Sequence, residues 1–279
     1  MFRVVLSVQV HLAGSDADWR KQRFSLTDFL ARQLHKDCFI NPIFAIAGIT
    51  LEVFRIDWLH AVDLGVGADF LGNLLWMIAE KMPAPNQEAR VDLLWKEITQ
   101  FYARYRIKNR IKKFSKNTLR PYANQPRKLH ASASNCRALI YFGHLAAQRF
   151  LSDAVPTESA AKTAAYHLNL CYSTLKSASQ FNRDTLFHSS QAFVLQYAAL
   201  MEVSDGIAWR IKPKAHMFLE LCAEGSQPNL FWTYRDEDYG GTVAKTCRMR
   251  GMWKKVSCFA CHASDLFHID NEFPRIVSL

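Results

Sequence analysis

The chain is predicted to be mainly α-helical, with about six helices following a small N-terminal α/β edge. Three observations carry this. From residue 66 onward apolar residues recur at helical spacing, Pro- and Gly-containing breaks separate the periodic stretches, and only the first 60 residues show period-two alternation.

Taken in order, Val8, Val10 and Leu12 alternate with polar residues and predict a short strand. Ile49, Leu51 and Val53 predict a second, and a helical segment around Leu26–Leu34 lies between them. After Gly65 the spacing turns helical. Phe70, Leu71, Leu74, Leu75 and Ile78 share one face, as do Val91, Leu94, Trp95, Ile98 and Tyr102. Further helices are expected over Leu139–Phe150, Ala161–Leu175, Phe193–Met201 and Met217–Cys222. Breaks fall at Pro83–Asn86, Ser152–Pro156 and Glu224–Pro228. Three segments result: 1–65 as a partial α/β core, 66–224 as a helical domain, and 225–279 as a C-terminal segment.

Hydrophobic residues make up 49% of the 279, with seven Trp and nineteen Phe, which excludes a disordered tail. The net charge is +10, and its placement is uneven. Between Ile98 and Ser152 there is no Asp or Glu, while twelve Lys or Arg fall there, more than the whole net excess. An acidic partner is implied, most simply the phosphate backbone of DNA. A membrane is not expected, because no stretch is read as the roughly 20 apolar residues a spanning helix needs. The opening Met1–Leu12 is interrupted by Ser7, Gln9 and His11 and does not read as a signal peptide. Seven Cys, an odd number scattered over a long chain, fit reduced thiols in an intracellular protein.

Three short constellations are candidates for chemistry. In Ile56–Gly65 an Asp is expected to end a strand, with a His three residues later. If a helix begins near Trp58, Asp57 can cap it with His60 one turn away, and spacing alone favours this structural reading over a functional one. In Phe231–Gly241 three consecutive carboxylates, Asp236, Glu237 and Asp238, are bracketed by aromatics. Packed in a pocket they would seek a divalent cation; in water they form an acidic turn paired with Arg235 and Arg248. Lys212-Pro213-Lys214-Ala215-His216 reads either as a helix start with cations facing a phosphate or as ordinary N-terminal punctuation.

Together these pieces resemble a cut-and-paste DNA transposase with an RNase H-like core, of the CACTA and Plavaka type. Asp57-x-x-His60 followed by Gly65 resembles that family's Asp-x-x-His element, and 212–216 its Pro-x-His element. Trp232-x-Tyr234-x-x-Glu237-x-Tyr239 resembles its Trp-x-Tyr-x-x-Glu-x-aromatic pattern, and Pro126–His130 with the following helix resembles part of its helical insertion. The resemblance spans residues 40 to 250.

It implies that the N-terminal edge is part of an RNase H-like core and that the helices form the insertion bundle. It implies a parent activity of nucleotidyl transfer with a pair of Mg²⁺ roughly 4 Å apart. Glu237 would be the third metal-binding carboxylate, with His60 beside it at the catalytic centre; Asp57, ending a predicted strand, could serve as a second catalytic metal ligand, although the resemblance places it outside the family's triad. The family's first two acids lie upstream of the Asp-x-x-His element. The acids preceding Asp57 (Asp16, Asp18, Asp28, Asp37, Glu52) match no such pattern. The expectation is a transposase-derived chain, shortened on its N-terminal side, that binds DNA without being a complete catalyst. The alternative is a non-enzymatic helical module for nucleic acid or another partner.

Arg104, Arg106, Lys108, Arg110, Lys112, Lys113, Lys116 and Arg120 are interleaved with Phe101, Tyr102, Tyr105, Phe114 and Tyr122. Cations on phosphates with aromatics stacking on bases is one reading; a solvated face with aromatics turned to the core is the other. The run also has the character of a nuclear-localisation patch. Cys258-x-x-Cys261-His262 matches c-type haem spacing, or half of a zinc site completed by Cys247 or His268. Neither a secretion signal nor a second Cys-x-x-Cys accompanies it.

Overall fold

The structure is a computed structural model that describes residues 25–35, 41–119, 126–176, 179, 181–204 and 208–249. Among these the chain is helical, and no strand occurs. It divides into two compact units, residues 1–232 and 233–279. The first unit holds α1 (Leu26–His35), a π-helical segment (Leu59–Val66) running on into α2 (Gly67–Glu80), and α3 (Gln87–Arg104). It continues with α4 (Lys116–Leu119), α5 (Ala133–Phe150), α6 (Pro156–Thr174), α7 (Arg183–Glu202) and α8 (Pro213–Ala223). The second unit holds α9 (Tyr234–Met249).

The helix starts follow from local chemistry. A helix leaves its first backbone N–H groups without intrahelical acceptors, so short polar side chains are favoured just before it. Asn86 Oδ1 accepts from Ala89 N at 2.9 Å, Ser132 Oγ from Asn135 N at 3.3 Å, and Asn182 Oδ1 from Thr185 N at 2.8 Å. Pro156 and Pro213 open α6 and α8, where a missing N–H costs nothing. The expected breaks at 83–86, 152–156 and 224–228 each lead into a helical element, with Pro156 and Pro228 as the first residues of theirs.

The core surrounds the segment from Trp58 to Glu80, two helical stretches joined across a kink at Gly65. Phe70, Leu71, Leu74, Leu75 and Ile78 are at most 1% exposed, as the periodicity predicts. Leu94 and Ile98 of α3 pack against them, α5 closes another side, and α6 pairs along its length with α7. An aromatic chain links the layers. Trp58 meets Tyr172 and Phe218 edge-on at 5.4 and 5.6 Å, and Phe193 meets Phe70 and Phe218 at 5.2 and 6.0 Å.

Two expectations need correction. The strand expected at Ile49–Val53 is a 3₁₀ turn, Leu51–Val53, preceded by a second such turn at Pro42–Ala45. Three alternating residues are too few to define a buried face, and Val53 and Phe54 are each 51% exposed. Asp57 therefore ends no strand. The strand at Val8–Leu12 lies outside the described residues. The second correction concerns the helix Leu59–Glu80, which is long and apolar enough to cross a membrane by length and composition. Of its most apolar 18 residues 83% are buried, so that apolar surface is taken up by neighbouring helices, as in a core helix.

Two histidines in this bundle make its stability depend on pH. Nδ1 of His144 on α5 and of His167 on α6 are both buried without a hydrogen-bond partner among the described residues. Burial lowers both pKa values from 6.5, because the charged ring loses water. The unfolded chain therefore binds more protons, and stability is complete above about pH 6.5 and falls as pH drops below it. Glu158 adds a second loss at lower pH. Its hydrogen bond with Lys81 and the Ser152 N–H at 2.7 Å depress its pKa, so its contribution disappears as acid protonates it. Melting temperature is expected to fall between pH 7 and 5, and a His144→Gln/His167→Gln variant to flatten that interval. An identical slope in the variant would contradict this assignment.

Candidate functional site

Asp57 caps the central helix. Its Oδ2 accepts from His60 N at 3.0 Å and lies 2.6 Å from His60 Nδ1, so one carboxylate oxygen serves both groups. The Asp57 side chain is 14% exposed and that of His60 56%. The helix then widens: the Gly67 N–H reaches Val62 O, the i to i+5 spacing of a π-helix. Gly65 sits inside this stretch with non-helical dihedrals (φ −105°, ψ −114°). A β-carbon there would lie 2.7 Å from Lys214 Cδ, so the bare glycine makes room for a lysine from 149 positions away.

That lysine brings two distant motifs together. Lys214 Nζ donates to His60 O at 2.8 Å, and Lys212 Nζ pairs with Asp69 Oδ1 at 2.8 Å. The cations at the start of α8 are thus directed at the central helix, and Pro213 takes its first helical position. Burial holds the Lys214 ammonium below the ordinary lysine range; Lys128 and Lys212 push it the same way, and Asp69 opposes them.

The 126–130 segment joins the same cluster. Lys128 Nζ donates to Leu64 O at 2.7 Å, Leu129 N to Ala68 O at 2.9 Å, and Asn73 Nδ2 to Arg127 O at 3.3 Å. Arg127 lies 3.4 Å over the Trp76 ring. Asp63, fully buried, accepts a 2.5 Å hydrogen bond from Tyr172 OH. Sequence reading missed Asp63, Asp69 and the role of Lys128. The available signal was Gly72 inside an otherwise apolar helical run, which marks a close backbone approach.

The acidic motif follows its solvated reading in exposure. Asp236, Glu237, Asp238 and Tyr239 are exposed on the first turns of α9, where negative charge suits the helix N-terminus. Glu237 N donates to Thr233 O at 3.0 Å. Trp232, in the first unit, lies under the Arg137 guanidinium at 4.1 Å. Among the described residues no three His, Cys, Asp or Glu side chains come together as metal ligands.

The basic run has a definite architecture. Ile111 and Phe114 turn inward, 8% and 4% exposed, and Phe114 stacks on Trp95 at 5.8 Å and 11°. Ile107 N donates to Tyr102 O at 3.1 Å, and Arg110 Nη2 to the same oxygen at 3.4 Å. Between these anchors Arg104, Arg106, Lys108, Arg110, Lys112, Lys113 and Lys116 are all exposed. Base stacking by Phe101, Tyr102 and Phe114 is ruled out, because all three are at most 6% exposed and fill the core. Tyr105, 38% exposed, stays at the surface. Arg120 and Tyr122 lie outside the described residues, as do Cys258, Cys261, His262 and His268.

No family model, curated protein or solved structure matches the chain. Cys136, Cys171 and Cys222 are buried, Cys247 on α9 is partly exposed, and burial pushes the Cys136 thiol up to about 12.

Proposed function

We propose that the helical unit binds nucleic acid, most directly DNA, through the outward cations of residues 104–116. The observation that carries this is the loop itself. Seven cations face water on a segment held by buried Ile111 and Phe114, within a 55-residue stretch free of carboxylates. A surface of one sign, fixed in place, attracts a polyanion without first losing loop entropy.

We further propose that this unit belongs to a transposase-like protein, as its DNA-contacting insertion. Supporting this, the 212–216 motif bonds to His60 of the 57–60 motif, and the 126–130 motif bonds to Leu64 and Ala68 of the same central segment. Catalysis by this chain alone is not part of the reading, since the acids preceding Asp57 match no pattern that would supply the family's first two carboxylates.

The test is binding of duplex and single-stranded DNA as salt is raised. Log affinity should fall linearly with log salt, with a slope near −0.9 per phosphate engaged. Lys108, Lys112 and Lys113 make no ion pair or hydrogen bond to the rest of the described protein, so reversing them to Glu tests charge without touching the fold. The slope should flatten by about three units. An unchanged slope would remove the proposal. With Mg²⁺ added, no cleavage is expected; cleavage by wild type that Glu237→Gln abolishes would overturn the incomplete-catalyst reading.

A further inference from the structure

Beside the basic loop, a groove of about 410 Å³ runs between α3 and α5. We propose that it receives one unpaired base of a single-stranded DNA whose phosphates follow residues 104–116. This rests on the nucleic-acid reading above and adds the form of the strand and the place of a base.

The walls suit a flat neutral ring. Tyr105, 38% exposed, offers the aromatic face, and beneath it buried Phe101 packs 4.9 Å from Tyr105 and 5.4 Å from Phe142 of α5. Leu145 completes the apolar lining. Guanidinium groups stand at the rim: Arg104 lies 5.7 Å over Tyr105, and Arg149 lies 4.7 Å over Phe150. A ring entering the groove can stack on either plane.

Charge separates base from phosphate. The groove holds one carboxylate, Glu97, paired with Arg149 at 2.7 Å. That carboxylate repels a phosphate but accepts hydrogen bonds from a base edge, as the Gln100 amide also can. The cations without carboxylate partners lie on the adjoining loop, and Arg104 and Tyr105 belong to both surfaces. Phosphates are thus drawn outside while a base is admitted within. A base inside a duplex is stacked and paired and cannot enter, so the groove favours single strands over duplex.

The test uses the full chain and oligonucleotides of about 12 nucleotides, compared at one salt concentration as single strand and as duplex. Wild type should prefer the single strand by roughly tenfold, the effect of one stacked base. Leu145→Trp, which fills the groove, should abolish that preference while leaving duplex affinity and salt slope unchanged. A second measurement avoids any protein variant: moving one abasic nucleotide through the strand removes a base but no phosphate. Affinity should drop about tenfold at one position. Equal affinity for both forms together with a flat abasic scan would overturn the groove while leaving the basic-loop reading intact. Loss of all salt-dependent binding in wild type would overturn both.

Discussion

Trp58→Ala is expected to cost about 3–5 kcal/mol of stability in the first unit, the range for deleting a large buried aromatic. Trp58 is fully buried at the start of the central helix. Its ring is the shared edge-on partner of Tyr172 on α6 and Phe218 on α8, so three elements lose packing at once. Collapse around the void is resisted because each of those rings is fixed by other contacts. The loss is large beside the 5–15 kcal/mol total of a typical domain. Urea unfolding should show a lower midpoint with an unchanged slope. The conservative change is informative too. Trp58 Nε1 has no hydrogen-bond partner among the described residues, so Trp58→Phe removes no bond and should cost distinctly less than the alanine variant. Equal losses would mean that the ring's edge-on contacts are not what the site depends on.

Gly72→Ala should also destabilise, although glycine-to-alanine in an ordinary helix interior stabilises by roughly 0.5–1 kcal/mol. At Gly72 a β-carbon would lie 2.5 Å from Lys128 Cα and 2.6 Å from Lys128 C and N. These are backbone atoms held by the Leu129 N–H on Ala68 O and by Asn73 on Arg127 O, so no flexible side chain can swing away. Overpacking of this kind costs about 1–3 kcal/mol or more, enough to reverse the sign. The displaced segment is 126–130, so hydrogen exchange at the Leu129 and His130 amides should accelerate before global unfolding does. A stabilised variant with protected amides would show that the crossing is not as close as the geometry places it.

Much of the helical unit was legible because its signals are local. The 70–78 face, and the 91–102 face apart from half-buried Trp95, are buried where the 3.6-residue spacing put them, and the breaks contain the Pro and Asn residues that start and stop helices. The Asp57 cap was legible for the same reason, since donor and acceptor lie three residues apart. The 49–53 strand failed because period-two alternation over three residues recurs by chance and a strand needs a partner that spacing cannot supply. The basic run was half legible. Its charge was plain, but whether Phe101, Tyr102 and Phe114 faced bases or the core depended on Trp95 and α5, which a linear reading cannot place.

Composition and periodicity alone determined a mainly helical chain with one acid-free, strongly basic stretch, because burial of apolar faces and uncompensated charge are read residue by residue. Only the tertiary structure decided that Lys128 and Lys214 reach carbonyls of the same widened helix, and that α3 and α5 leave an aromatic groove beside the basic loop. Those features come from contacts between residues tens to more than a hundred positions apart. Such contacts depend on how helices cross, and no local pattern in the chain encodes a crossing.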